Sequence, residues 1–292
     1  MSRKLHKFQT EAEYQAYSAS TEYTTPCVAL IVDTNVIYYD YGSNKPQVDL
    51  SDYKIESEKT SVGGDKFGID AITKIHYIPS GVTDLDYDFS MYSSLTEVTC
   101  EIPSGVTSMS QTFFCCQNLV KVPDIPSSVT NMFETFGICS SLVNFPNIPS
   151  GVTEMSYTFY KCTSLVNAPS IPNNVTNMKD TFCGCTSLVN APSIPNNVTN
   201  MKDTFCGCTS LVNAPSIPNS VTNLYSTFYN CTKLKEATFL HTTPPEYFDT
   251  LVNCPSLETI YVPDSAVDAY KTATNWSQFA SKFKPLSSKP IE

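Results

Sequence analysis

Most of the chain repeats one short pattern of apolar and polar positions. Between residues 78 and 263 the pattern occurs eight times, and it returns every 23 residues apart from one extra residue between Leu95 and Ile102. In its clearest copy, residues 171–188, the apolar positions hold isoleucine, valine, methionine, phenylalanine, cysteine and leucine in that order. A fixed period of about 20 to 50 residues is typical of a solenoid in which each copy forms one coil. The pattern therefore predicts a solenoid of about eight coils.

The recurring apolar positions predict one continuous interior. A coil buries its apolar side only by stacking on its neighbours, so equivalent side chains should lie above one another at the strand spacing of about 4.8 Å. Each fully buried side chain of this size should stabilise the fold by roughly 1.5–3 kcal/mol. The phenylalanine position holds Phe89, Phe113, Phe136, Phe159, Phe182, Phe205 and Phe228, and then Leu251.

Prolines limit the regular structure within each coil. Pro169 and Pro172 recur in the following copies, and a proline cannot donate a backbone hydrogen bond to a central strand. We therefore expect short parallel strands, such as one over residues 165–167, followed by extended chain. Residues 181–185 are expected to form a helical or 3₁₀ turn. Together these elements predict modest strand content.

The two ends of the chain depart from the repeat. We divide the sequence into an N-terminal attachment and capping module (1–70), the solenoid (71–263) and a C-terminal helical cap and tail (264–292). In the N-terminal module, residues 10–18 predict a short helix. Residues 27–32 and 36–41 predict the two strands of a β-hairpin, and a polar linker follows them.

The C-terminal part of the sequence is expected to cover the last coil, whose apolar face would otherwise be exposed. Residues 264–271 predict a capped helix, and residues 275–280 predict the start of a second short helix. Trp276 is expected to pack inside this cap.

The charge balance narrows the choice of partners. The chain has 28 acidic and 18 basic side chains, which give a formal net charge of −10 at pH 7. Nucleic-acid binding requires basic patches, so this balance argues against a nucleic-acid partner. No run of about 18 apolar residues occurs, and we expect no insertion into a membrane. The basic start of the chain lacks the apolar region of a secretory signal, so export by the general secretory route is not expected.

Twelve cysteines raise the question of disulfides or a metal site. Seven of them fill the cysteine position of successive coils, where in-register side chains point the same way, and we expect a column of buried thiols that pack as small apolar groups. Cys183 and Cys206 each lie two residues before a cysteine of this column. That spacing is shorter than in zinc sites, and no histidine is near. The sequence therefore predicts no metal and no other cofactor.

The two positions after each core methionine and the two after each core phenylalanine vary between copies, and we expect them to project outward. In several copies they hold aromatic side chains, which suggest contact with a protein or a glycan. Two alternatives stay open: these rings pack on a neighbouring subunit of a homo-oligomer, or they lie on the surface without a partner. The candidate binding residues are Phe114, Phe133, Tyr157, Tyr160, Tyr225 and Tyr229.

The repeats carry a motif with a family resemblance. The motif is V-T-x-M…F-x-x-C-x-S-L, for example over residues 152–165, and the chain closes with residues 257–263 and Trp276. Both features resemble the BspA-like leucine-rich repeats, which are abundant in surface proteins of gut and oral bacteria. The resemblance implies a leucine-rich-repeat solenoid with short parallel strands and short helical or 3₁₀ turns. It also implies an adhesin or another binding protein without catalytic residues.

A second resemblance lies near the start of the chain. Residues 5–14 and the hairpin over residues 32–39 resemble a short leader module of structural proteins from phages that infect gut Bacteroidetes. Together with the missing export signal, this favours a virion protein: a head fibre, a capsid decoration or a tail-associated protein. Such a protein would bind other virion proteins through its N-terminal module and present the solenoid as a binding surface. The attachment residues would be Arg3, Lys4, Lys7, Tyr14 and Tyr17.

The alternative hypothesis is a bacterial cell-surface adhesin that binds a host protein or glycan. This hypothesis needs an export route, which the sequence does not display. An enzyme is disfavoured because His6, His76 and His241 lie far apart in the chain. No phosphate-binding loop, nucleophile elbow or H-E-x-x-H motif occurs either. Under both hypotheses the sequence predicts a non-enzymatic binding protein.

Overall fold

The structure is a computed structural model, and it describes residues 5–8, 27–31, 36–40, 73–75, 78, 82–145 and 147–290. The predicted helix over residues 10–18 and the polar linker over residues 42–70 lie outside these residues. The described part contains nine β-strands, one α-helix and three 3₁₀ helices. All of these elements are short, and most of each coil consists of turns and extended chain.

The N-terminal strands continue the sheet of the first coils. This sheet runs in chain order and consists of β1 (Leu5–Phe8), β2 (Cys27–Ile31), β3 (Val36–Asp40), β4 (Lys74–Ile75) and β5 (Glu97–Val98). β2 and β3 pair antiparallel, as the hairpin pattern predicts, whereas β3, β4 and β5 pair parallel. The hairpin therefore covers the sheet edge of the first coil, where unpaired backbone groups would otherwise be exposed.

The predicted interior is confirmed in the middle coils, where the methionine, phenylalanine, cysteine and leucine positions have no exposed surface. The phenylalanine rings stack almost parallel: the ring centres of Phe113 and Phe136 are 5.5 Å apart, with 15° between their planes. Phe145 enters the same interior and meets Phe136 and Phe159 edge-on, with ring centres 4.8 and 4.9 Å away. The coils therefore share one core.

The turn that carries the core phenylalanine is neither α-helical nor 3₁₀-helical, so the prediction for residues 181–185 is wrong. Its backbone amides alternate between two kinds of partner. Thr181 and Cys183 donate to carbonyls three residues back in their own coil, whereas Asp180 and Phe182 donate to the next coil at 2.9 Å. A helix would use every amide within the segment and leave the next coil without these bonds. Asp180 has a left-handed backbone, with φ of 55°, and this conformation permits the alternation.

Parallel pairing inside the repeat is shorter than predicted. In place of a strand over residues 165–167, a single residue, Asn167, bridges Asn190 in the next coil. A second row of single bridges joins the residues before the core methionines, for example Asn177 and Asn200. Sequence reasoning did not identify this second row, which holds the turns of neighbouring coils in register.

Regular strands return toward the C-terminus. β6 (Asn213–Ile217), β7 (Glu236–Phe239), β8 (Thr259–Val262) and β9 (Phe283–Pro285) form a parallel sheet in chain order. β6 contains Pro215, and its register against β7 shifts between Asn213 and Ser216. The irregularity lies at the proline because this residue has no N–H to donate.

The C-terminal cap consists of a 3₁₀ helix (Asp264–Ala266), α1 (Val267–Thr272), and two further 3₁₀ helices (Ser277–Lys282 and Leu286–Ser288). The capped helix predicted over residues 264–271 forms as a 3₁₀ helix followed by α1, but neither has a side-chain cap hydrogen bond at its start. The Asp264 carboxylate accepts the Ser287 amide at 3.0 Å instead. Trp276 packs inside the cap as predicted, with 1% of its surface exposed. Its indole nitrogen donates to the Pro245 carbonyl at 2.7 Å.

Candidate binding face

The outward-facing positions of the turns form a continuous surface, which we call the outer turn face. It consists of the two residues after each core methionine and the two after each core phenylalanine, such as Lys179, Cys183 and Gly184 in the fifth coil. The expectation that all these positions project outward is wrong for Asp180, which is buried. Backbone hydrogen bonds join neighbouring turns side by side, so each position lies beside its equivalent in the next coil. Side chains at one position therefore form a column across the coils.

Three of the predicted aromatics meet on this face, and with two lysines they form what we call the central patch. The ring centres of Phe133 and Tyr157 are 5.8 Å apart and those of Tyr157 and Tyr160 are 5.9 Å apart, both edge-on. The Lys179 Nζ lies 5.1 Å from the ring centre of Tyr157, and the Lys161 Nζ lies 5.0 Å from that of Tyr160. Such contacts stabilise by roughly 0.5–1 kcal/mol at exposed sites, so the lysines help to order the rings.

Charged groups connect the central patch to the turn below it. The Tyr157 hydroxyl interacts with both the Lys179 ammonium and the Asp180 carboxylate. The hydrogen bond to Tyr157 raises the pKa of Lys179, so its ammonium stays charged at neutral pH. Burial raises the pKa of Asp180, because the carboxylate loses contact with water, and the hydrogen bond from Tyr157 offsets this only in part.

A second aromatic group, which we call the C-terminal patch, lies further along the same face. The ring centres of Tyr225 and Phe248 are 6.0 Å apart, and the Lys202 Nζ lies 4.8 Å from the ring centre of Tyr225. Tyr225 is 41% exposed and Phe248 is 46% exposed. Both patches therefore combine aromatic rings with a lysine from a neighbouring coil.

Two of the six predicted aromatics belong to neither patch. Phe114 covers Gly137 of the next coil, where a β-carbon would lie 3.0 Å from the ring, so it packs on the solenoid itself. The Tyr229 hydroxyl accepts a hydrogen bond from the Asn253 amide at 3.3 Å. Both rings are half-buried.

Sequence reasoning missed four members of the patches: Lys161, Lys179, Lys202 and Phe248. Lys179 and Lys202 become part of a patch only when a position in one coil is compared with its equivalent in the next coil, whereas Lys161 directly follows Tyr160 in the chain. Phe248 lies in the last coil, where Tyr247 replaces the core methionine and hides the pattern. A comparison of equivalent positions in neighbouring coils would have identified Lys179, Lys202 and Phe248 as members of the patches.

The predicted attachment residues lie in the N-terminal segment. Arg3, Lys4, Tyr14 and Tyr17 fall outside the described residues. Lys7 lies on β1, whose backbone pairs with β2. Their role in attachment stays a prediction.

The cysteine column is confirmed as a stack of buried thiols from Cys116 to Cys231, whereas Cys254 at its end is half-buried. Each of these thiols also has a polar partner. The Cys139 Sγ donates to the Phe113 carbonyl at 3.1 Å, and the Cys162 Sγ donates to the Phe136 carbonyl at 3.1 Å. Burial raises the pKa of both thiols. The eleven cysteines between Cys100 and Cys254 form no disulfide, and among the described residues no cluster of three or more potential ligands is placed to hold a metal.

Residues 45–166 and 155–278 match the family model described as "BspA type Leucine rich repeat region (6 copies)". The chain belongs to this family. This match establishes the leucine-rich-repeat fold with short parallel strands. It also confirms the resemblance to BspA-like repeats that the sequence motif indicated. The match begins at residue 45, so it does not reach the segment for which a phage leader was predicted.

Solved leucine-rich repeat proteins of bacteria resemble this BspA-type chain. The T. pallidum protein TpLRR is 26% identical over 49% of this chain and 66% of its own, with a TM-score of 0.43. A leucine-rich cell surface protein from Faecalibacterium prausnitzii is 20% identical over 76% and 77%, with a TM-score of 0.32. The pneumococcal vaccine antigen PcpA is 16% identical over 74% and 70%, with a TM-score of 0.34. Among curated proteins, none matches the chain.

In the described part of this BspA-type protein, no helix has both the length and the apolar character needed to cross a lipid bilayer.

Proposed function

We propose that this chain is a non-enzymatic binding protein of a bacterial surface, of the adhesin kind, and that its outer turn face contacts a protein or a glycan. The central patch carries this proposal. Its rings lie on the outside of the coils, whereas a purely structural aromatic would pack into the core, as Phe145 does against Phe136 and Phe159. Family membership supports the same proposal, because BspA-like proteins are mostly adhesins and other binding proteins.

The chemistry of the patches fits a partner with both apolar and acidic groups. Tyrosine and phenylalanine supply large contact areas at little cost in side-chain entropy, and they are enriched where binding energy concentrates. Lys161 and Lys179 add positive charge to a chain whose formal net charge is −10. A sugar with acidic substituents or an acidic protein surface would satisfy both features.

The test is binding of the purified full-length protein to arrays of glycans and of extracellular host proteins. We expect at least one ligand, and we expect a Tyr157→Ala/Tyr160→Ala double variant to bind it at least about tenfold more weakly. Val189→Ala is the matched control, because Val189 is exposed outside the outer turn face. Unchanged affinity of the double variant would contradict the proposal.

The alternative is that the same rings join copies of this chain in a homo-oligomer. In that case the double variant would change the sedimentation coefficient of the protein in the absence of any ligand. If the wild-type protein is a monomer and the double variant has the same sedimentation coefficient, the rings do not join copies of this chain. The patch is then free for an external partner.

The virion hypothesis places the same binding face on a phage particle, with the N-terminal module as its attachment to other virion proteins. Mass spectrometry of purified particles and surface labelling of intact bacterial cells distinguish the two settings. We expect surface labelling, because family membership favours the adhesin. Recovery of the chain in purified particles would favour the virion protein instead.

A further inference from the structure

Two outward-facing thiols lie side by side on adjacent coils. Cys183 and Cys206 each occupy the first position after the core phenylalanine of their coil. The Phe182 amide donates to the Thr204 carbonyl at 2.9 Å, and the Gly184 amide donates to the Cys206 carbonyl at 2.7 Å. In a parallel pair, two such bonds flank the residues that lie opposite each other. Cys183 therefore faces Cys206 across the boundary between the coils.

This outward pair differs from the buried column in access and in partners. Its side chains are half-exposed, whereas Cys185 and Cys208, two residues further along, are buried and donate to backbone carbonyls. A thiol in the middle of the buried column has an equivalent thiol on each side. The outward pair is bounded in its own column by Tyr160 and Tyr229. Each of the two thiols therefore has one thiol neighbour in that column.

We propose that Cys183 and Cys206 are a modification site: a dithiol that oxidants of the disulfide class, such as oxidised glutathione, convert to a disulfide between two coils. Neighbouring parallel backbones lie about 4.8 Å apart, which falls within the Cα separation of about 4.4–6.8 Å that a disulfide requires. Gly184 and Gly207 follow the two cysteines and lie against each other, so neither adds a side chain at the boundary between these two coils, and the Lys161 side chain of the preceding coil packs on Gly184. The cysteine side chains can therefore turn toward one another.

The exchange takes place in two steps. The Cys206 thiolate attacks one sulfur of oxidised glutathione, forms a mixed disulfide and displaces one glutathione thiolate. The Cys183 thiolate then attacks the Cys206 sulfur and displaces the second glutathione. Two electrons pass from the protein to the oxidant, and the two protons of the protein thiols end on the two released glutathione molecules.

The surroundings of the pair assign the order of attack. The hydrogen bond from Cys183 lowers the pKa of Cys206, and the same hydrogen bond, together with burial, raises the pKa of Cys183. Asp180 lies near both thiols and Asp203 lies near Cys206, and each carboxylate disfavours the thiolate form of the thiol beside it. Cys206 is therefore the thiol that ionises first, and Cys183 is the thiol that closes the disulfide.

The experiment equilibrates the native full-length protein in buffers of reduced and oxidised glutathione, alkylates the remaining thiols and digests the product with trypsin. Cleavage after Lys179, Lys202 and Lys233 places the two cysteines in separate peptides, 180–202 and 203–233. We expect these peptides to become cross-linked as the buffer becomes more oxidising, with a mass about 2 Da below their sum. Excess reduced glutathione should reverse the cross-link.

Variants assign the cross-link to the outward pair, because each peptide also contains a cysteine of the buried column. Cys183→Ser and Cys206→Ser should each abolish it, whereas Cys115→Ser, at another half-exposed cysteine, should leave it unchanged. Three results would overturn the proposal: wild-type peptides that stay separate and alkylated at both cysteines, glutathione held stably on both, or a cross-link that persists in either variant. The wild-type result stands even if a variant fails to fold.

Discussion

The Cys162 thiol donates a hydrogen bond of 3.1 Å to the carbonyl oxygen of Phe136 in the preceding coil. The same contact recurs between successive coils, for example from Cys185 to Phe159 at 3.1 Å. The cysteine position therefore does more than fill apolar space: its thiol is a second donor to a buried carbonyl that also accepts a backbone amide, as Phe136 does from Cys139 at 3.0 Å. This explains why a residue that is small, largely apolar and still able to donate recurs at this position.

Replacing a column cysteine with alanine should cost more than its volume suggests. We expect Cys162→Ala to lower the free energy of unfolding by about 1 kcal/mol, because the buried Phe136 carbonyl loses one of its two donors and keeps only the Cys139 amide. Urea denaturation followed by circular dichroism measures the change. Cys115→Ala, at a half-exposed cysteine, should change it by less than about 0.5 kcal/mol. Equal effects at the two positions would contradict the role assigned to the thiol.

The buried threonine beside each core phenylalanine ties one coil to the coil before it. The Thr204 hydroxyl donates to the Met178 carbonyl at 2.8 Å and has no exposed surface. Thr204→Val keeps the shape but removes this donor, so we expect a loss of about 1–2 kcal/mol in unfolding free energy. Thr199→Val is the matched control, since Thr199 is exposed and its hydroxyl contact is 3.3 Å long. A similar loss in the control would mean that the buried hydroxyl has no special role.

A strained backbone residue offers a stabilising substitution. Ile138 has φ of 63°, a left-handed conformation that costs a β-branched residue roughly 1–2 kcal/mol. The equivalent positions of later coils hold Asn230 and Asn253, at φ of 59° each, and asparagine adopts this conformation more readily. We expect Ile138→Asn to raise the unfolding free energy by about 1 kcal/mol in thermal or urea denaturation. A clear loss of stability would show that packing of the isoleucine side chain outweighs the backbone strain.

The raised pKa of Asp180 predicts how stability depends on pH. Because burial raises this pKa above the ordinary value of 3.8, the folded chain holds the proton more tightly than the unfolded chain does. The resulting stabilisation is complete below the unfolded pKa and is lost as the pH rises through the folded pKa. Asp180→Asn removes the ionisation and tolerates the left-handed backbone.

The comparison of melting temperatures at two pH values tests this prediction for Asp180. We expect Asp180→Asn to melt at a higher temperature than the wild type at pH 7, and we expect the difference to disappear near pH 3. The Asp180 charge also raises the pKa of the neighbouring Asp203, so the difference reports the loss of the Asp180 charge together with its effect on Asp203. A variant that is less stable at pH 7 would show that contacts of the carboxylate with Lys179 and Lys202 outweigh its burial.

The core could be predicted from the sequence because the same residue types return at the same six positions, and burial follows residue type. The turn conformation could not be predicted in this way. The second position after the core methionine is left-handed in successive coils, yet it holds Gln111, Glu134 and Tyr157, which do not mark a left-handed turn. Hydrogen bonds to the next coil impose that conformation, and no single copy of the repeat contains them.

The candidate site was predictable in part, for the same reason. The exposed aromatics are visible as variable positions within each copy, and four of the six lie in the two patches. Lys179 is not visible in this way, because it meets Tyr157 only after the coils stack. A contact between coils depends on register, which the sequence of one coil does not contain.

We infer that the coils are interchangeable units of one stack. Residues 163–185 and 186–208 are identical, so deleting 163–185 removes one coil. The coils on either side of the deletion then meet the same neighbouring sequence as they do in the full-length protein. In the shortened protein Lys202 takes the place of Lys179 beside Tyr157. The measurement is thermal unfolding of this deletion variant followed by circular dichroism. We expect a cooperative transition and the spectrum of a folded protein, with unfolding free energy lower by the contribution of one coil; a variant without a cooperative transition would contradict the claim.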